Sequence, residues 1–181
     1  MEFLKTDFKG LFVITADVFK DERGHLVETY KEDVFFNKFS FRSVLELEVE
    51  SKKNVLRGMH YQLEPYAQAK IIRVSKGRVL DVVVDLRKDS ETYGENFSII
   101  LNDKNQRQLY VPEGFAHGYY VLSDIARVTY KMNNIYYKKY AKGIFYNDRV
   151  LNIDWSMDKS PILSKQDENL PSLSDAIVFQ L

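Results

Sequence analysis

Apolar and polar residues alternate with a period of two in short runs along most of the chain. The runs cover residues 11–15, 26–30, 44–49, 70–74 and 79–86, and then 97–101, 108–111, 118–122, 126–131 and 143–146. Successive side chains of a strand point to opposite faces, so each run predicts a half-buried β-strand. Ten such runs are too many for one flat sheet. Turn chemistry separates them at Asp21-Glu22-Arg23-Gly24, Lys76-Gly77, Asn102-Asp103-Lys104-Asn105, Pro112-Glu113-Gly114 and Asn147-Asp148. Helical patterns are confined to Glu32 to Phe39 and a short turn near Ser164 to Glu168. The expectation is an all-β (mainly β) fold with short helices towards the termini. Two antiparallel sheets closed over one core, a jelly roll, would also hide most strand edges.

Composition narrows this picture. A chain of 181 residues suits a single domain spanning 1–181. Lysine plus arginine number 26, as do aspartate plus glutamate, so no net field attracts nucleic acid or an acidic membrane surface. No cysteine is present, which removes disulfides, thiolate metal sites and cysteine nucleophiles and fits a reducing cytoplasm. The start MEFLKTDFKG has no signal-peptide pattern, and the most apolar run, 79–86, is interrupted by Asp81 and Asp85 and is far short of a bilayer span.

Candidate chemistry is sparse. The three histidines are His25, His60 and His117. A metal-binding jelly roll would normally pair histidines one residue apart on a strand, whereas His60 and His117 each stand alone, which predicts no metal site. A lone histidine is either a hydrogen-bonded core residue or a general base. Arg57 three residues before His60, Lys70 at the start of a strand and Tyr130 on the 126–131 run favour the second reading, since a core seldom needs such groups. Spacing alone predicts that Lys70 snorkels out at its strand end and that Tyr130 is core with a tied hydroxyl. Residues 112–118, Pro-Glu-Gly-Phe-Ala-His-Gly, read as a loop shaped for close approach to a ligand.

Several motifs, taken in order, resemble the dTDP-4-dehydrorhamnose 3,5-epimerase family. They are Arg23-Gly24, Val55-Leu56-Arg57-Gly58-Met59-His60-Tyr61-Gln62, the Lys70 strand, residues 81–90 with Thr92-Tyr93-Gly94, and residues 112–118. Tyr130-Lys131, Asn147-Asp148, Trp155 and residues 163–167 continue the match, which runs from about residue 7 to residue 173. The resemblance implies a cupin-type double-stranded β-helix, needing neither metal nor cofactor, and a homodimer that exchanges strands so that each subunit helps build the other's nucleotide site. It implies inversion at C3, C5 or both of a nucleotide-linked 4-keto sugar, in deoxysugar or surface-polysaccharide precursor synthesis. By position, His60 would be the base, oriented by Asp167; Tyr130 would return the proton and Lys70 would stabilise the enolate. Arg57 and His117 would contact sugar or diphosphate, Tyr136 would lie near the sugar, and Arg23 and Glu28 would serve the neighbouring subunit's nucleotide.

The sequence departs from the family pattern in one cluster. Where the family shows Gln-x-Asn-x-Ser before the Arg-Gly-x-His motif, this chain has Leu45, Leu47 and Val49; a family glutamate corresponds to Ala141 and a family lysine to Gln166. Lost hydrogen-bond partners imply a member with an altered substrate, another nucleotide such as GDP or another sugar. Two further readings stay open: a nucleotide-sugar-binding or assembly module without chemistry, and a 3,4-ketoisomerase, which should carry a second histidine where Gln62 stands.

Overall fold

The computed structural model describes residues 1–180. In chain order the first strands are β1 (Glu2–Lys5), β2 (Phe12–Thr15), β3 (Val18–Asp21), β4 (Gly24–Val27), β5 (Leu45–Lys52), β6 (Leu56–Gln62) and β7 (Lys70–Lys76). They are followed by β8 (Arg78–Asp85), β9 (Asn96–Asn102), β10 (Arg107–Val111), β11 (Phe115–Val121), β12 (Ile125–Met132) and β13 (Ala141–Gly143). The helix α1 is Glu32–Phe39, and a 3-10 turn covers Asp167–Asn169. One sheet has six strands in the order β1-β2-β10-β7-β12-β5, and the other has five in the order β13-β6-β11-β8-β9. The pairings within both sheets are antiparallel. Strands β3 and β4 pair only with each other, as a separate hairpin.

Alternation along the strands builds three apolar layers. Between the sheets, Ile72, Val74 and Val128 of one meet Val79, Val83 and Tyr119 of the other. Burying each such aliphatic side chain is worth about 1.5–3 kcal/mol relative to exposure. Leu80, Val82, Val84 and Tyr120, which point the other way from the five-stranded sheet, are covered by Trp155, Leu173 and Phe179 of the C-terminal segment. The outer face of the six-stranded sheet carries Ile14, Ile71 and Tyr110 under α1, with Phe35 wholly buried. Phe39 stacks on Tyr110 at 3.9 Å between centroids. Helix α1 opens with Glu32 and Asp33, places Lys38 in its last turn, and ends where Ser40 turns left-handed at φ 54. Its bounds match the expectation for 32–39.

Three strands break the sequence pattern: β1, the hairpin strand β3, and β6, where Arg57-Gly58-Met59-His60 interrupts the alternation. The run expected over 26–30 is shorter, because β4 ends at Val27; Glu28 then pairs with Lys31 at 2.8 Å and Tyr30 packs on Phe35. The run expected over 143–146 ends earlier, β13 being Ala141–Gly143. Residues 112–118 are not all loop, since the turn ends at Gly114 and β11 runs buried from Phe115.

Candidate active site

The histidine motif owes its geometry to a bulge. Opposite β11, His117 pairs with His60 and Tyr119 with Arg57, so two residue steps on β11 span three on β6. The extra residue turns the strand locally. Arg57 and His60, which an unbroken strand would send to opposite faces, therefore both line one cavity. Gly58 occupies the bulge at φ 124. A Cβ there would stand 2.5 Å from the Cα of Gly118, a distance no side chain tolerates.

The cavity encloses about 380 Å³ between the sheets. Arg57 and His60 enter from β6 and His117 from β11, in the five-stranded sheet; Lys70 and Tyr130 enter from β7 and β12, in the six-stranded one. Asp167, from the 3-10 turn, is 3% exposed and its Oδ1 lies 2.7 Å from His60 Nε2. An ionised Asp167 can only accept, so the neutral ring carries its proton on Nε2 and keeps the Nδ1 lone pair free. Lys70 is 8% exposed, with Nζ donating to the His60 carbonyl at 3.4 Å. It does not snorkel: it lies at the start of β7, where its neighbours across the cavity are polar. Burial pulls the Lys70 amine down to about 8, with Asp81 opposing the fall.

A second polar layer lies below. His117 Nε2 is 2.9 Å from Asp81 Oδ2, both residues being buried. The Arg57 Nε donates to Ser51 Oγ at 3.0 Å, and Ser51 Oγ is 3.1 Å from the Tyr119 hydroxyl. Tyr130 stands edge-on to the His117 ring, at 5.7 Å between centroids. Burial pushes its phenol well above the ordinary value, and neighbouring Tyr119 and Asp81 push the same way. Tyr130 thus keeps its proton across the physiological range and can act as an acid.

Seven residues singled out from the sequence, His60, Tyr130, Lys70, Asp167, Arg57, His117 and Tyr136, line this single cavity. Arg23 and Glu28 do not. Arg23 sits in the β3–β4 turn with its side chain 85% exposed, paired with Asp21, and Glu28 pairs with Lys31.

The sequence profile of the family described as dTDP-4-dehydrorhamnose 3,5-epimerase matches residues 5–175. The chain belongs to that family. It is 44% identical over 183 residues to the dTDP-4-dehydrorhamnose 3,5-epimerase of Shigella flexneri, covering 99% of this chain and 99% of that one. The solved dTDP-6-deoxy-D-glucose-3,5-epimerase of Legionella pneumophila Philadelphia 1, in complex with dTDP-4-keto-L-rhamnose, is similar at a TM-score of 0.96 and 34% identity, covering 99% of this chain and 98% of that one. A 3′-monoepimerase of Streptomyces bikiniensis, in complex with dTDP-quinovose, has a TM-score of 0.89 at 28% identity, over 93% of this chain and 86% of that one. The protein is an isomerase with the cupin-type fold of these epimerases.

Within this epimerase, most departures from the family pattern fall inside the cavity. Leu47, Val49, Ala141 and Gln166 line it, and Met132 joins them, whereas Leu45, paired with Met132 at the end of β5, does not. Leu47, Val49 and Ser51 share the inner face of β5, where Leu47 pairs with Tyr130 and Val49 with Val128. The polar layer of Asp81, Ser51 and Tyr119 was not singled out from the sequence as part of the site. One signal for it was present: an aspartate set between Val79 and Val83 in the middle of a strand face.

Proposed function

We propose that this protein inverts C3, C5 or both of a dTDP-linked 4-keto-6-deoxyhexose, with His60 as base, Tyr130 as acid and Lys70 as the enolate's partner. The observation that carries this is the opposition of His60 on one sheet to Tyr130 and Lys70 on the other, across a cavity of about 380 Å³. Inversion needs a base on one face of the sugar and an acid on the other. The C4 ketone acidifies its neighbouring C–H bonds. His60 Nδ1 takes the proton, the C–H electron pair forms the C=C bond, and the negative charge moves to the C4 oxygen. The Lys70 ammonium would stabilise that oxygen, as a fixed charge aimed where charge develops. The Tyr130 hydroxyl then protonates the carbon from the opposite face, and solvent restores both groups. No electron is gained or lost, so the sequence of steps needs no redox cofactor.

Arg57 and His117 would hold the sugar or diphosphate, guanidinium being well suited to phosphate oxygens, and Tyr136 would lie over the sugar. A dTDP carrier is supported by the relatives' names. The apolar Leu47, Val49 and Met132 wall supports a sugar that departs from the family's usual one on the side facing β5, since a polar group set against that wall would lose hydrogen bonds to water without gaining a partner. A homodimer, with Arg23 and Glu28 serving the neighbouring subunit, is supported by the exposed hairpin, on which Phe19 is 57% and Leu26 61% exposed. A chain without cysteine fits the reducing cytoplasm.

Incubation with 4-keto sugar nucleotides in deuterated water tests the reading. NMR should show deuterium entering at C3, C5 or both, together with an inverted product. Binding without exchange for every dTDP- and GDP-linked substrate would overturn it in favour of a binding module, and migration of the ketone to C3 would reveal a ketoisomerase.

A further inference from the structure

Asp81 is a buried carboxylate that the proposed proton transfers do not use. It is 0% exposed in the middle of β8, on the face that Val79 and Val83 turn to the core. Its Oδ2 meets His117 Nε2 at 2.9 Å, while Oδ1 has no hydrogen-bond partner among the described residues. An ionised carboxylate so placed is costly unless a positive charge compensates it. The charged and titratable groups around it come from several strands. His117 of β11 bonds it, its charge acts on Lys70 of β7, Tyr119 of β11 and Tyr130 of β12, and Arg57 and His60 of β6 line the cavity with Lys70 and Tyr130. Lys142 of β13 and Asp167 line the rim of the same cavity.

Most of these are already committed. Asp167 is engaged with His60, and Arg57 reaches Ser51. Among the described residues Lys70 has no carboxylate within ion-pair distance, and its Nζ donates only to the His60 carbonyl. Asp81 acts on it through space, opposing the effect of burial. Resting on the reading of Lys70 as the enolate's partner, we propose that Asp81 is a positioning residue, the fixed counter-charge that keeps Lys70 an ammonium while substrate fills the cavity. His117 clamps one carboxylate oxygen and leaves the other without a hydrogen-bond partner among the described residues. Without Asp81, burial alone would act on Lys70, and the ammonium would be lost at a lower pH.

Asp81→Asn preserves shape and removes the charge. Lys70 titration is read by competitive acylation of the intact protein across pH, with Lys70 modification followed by mass spectrometry, which needs no turnover. In the wild type, reactivity should rise through about pH 8; in Asp81→Asn its midpoint should fall by about one pH unit, as expected on losing one nearby opposite charge. The high-pH limb of kcat/KM should move down with it, and that movement should vanish in a Lys70→Met background. An unmoved Lys70 midpoint in a folded Asp81→Asn protein would overturn the proposal. If Asp81→Asn does not fold, Asp81→Ser serves instead: it too removes the charge and should lower the Lys70 midpoint, whereas an unmoved midpoint would overturn the proposal. A moved midpoint without turnover of any sugar nucleotide would sink the proposed function and leave the Asp81–Lys70 coupling standing.

Discussion

Strands β5 and β6 line the same cavity from different sheets, and they line it with opposite chemistry. β6 presents Arg57, His60 and Gln62, every one of them held: Arg57 by Ser51, His60 by Asp167, and Gln62 by the Tyr66 and Ile135 carbonyls, to which it donates, and the Tyr137 amide, from which it accepts. β5 presents Leu47 and Val49, with Leu47 45% exposed. Preorganised donors and acceptors are what a reaction needs, because they do not have to reorganise as charge develops. An apolar wall does another kind of work: it penalises ligands that would bury a hydroxyl against it, while adding little to the chemistry itself. On the proposed roles, the contrast teaches that β5 can change its chemistry while the held groups of β6 stay in place.

The largest effect should come from breaking the β6 side. His60→Asn removes the proposed base together with its Nε2 bond to Asp167, and should lower turnover by about 10³-fold, in the range for loss of a positioned proton acceptor. Solvent exchange at both acidified carbons should fall with it, measured by NMR in deuterated water. The smallest effect should come from β5. Leu47→Asn should change kcat by less than about 3-fold, yet shift the ratio of kcat/KM between two sugar nucleotides differing by one hydroxyl by about 10-fold, the usual scale for one group in a pocket. Steady-state kinetics on such a pair would check it, and a loss of kcat equal to that of His60→Asn would dissolve the contrast between the strands.

Much of this was legible in the sequence, for physical reasons that differ by region. The helix at 32–39 was legible as a helical pattern, and most strands through their alternation. The β6 strand did not, because a bulge adds one residue and reverses the faces halfway along, so that Arg57 and His60 seem out of phase. Gly58 was the visible trace of that bulge. Lys70 was misread as snorkelling, since spacing reports the face a residue takes and not whether polar groups wait on that face. The motif residues His60, Lys70, Tyr130 and Asp167 were named from the family resemblance, yet the 107-residue separation of His60 and Asp167 is closed only by the fold. Asp81 was noticed as an interruption of an apolar run; its partner His117, 36 residues away, could not be read from spacing.

The most direct test of base and acid on opposite walls is the ratio of exchange to inversion in Tyr130→Phe. With His60, Asp167 and Lys70 intact, proton removal should continue and the proton should return from the same face. NMR in deuterated water should therefore show deuterium entering the substrate while inversion falls by about 10²-fold or more, the loss expected for a missing proton donor. Exchange and inversion lost in equal proportion, or inversion left unchanged, would contradict the assignment of Tyr130 and His60 to opposite faces of the sugar.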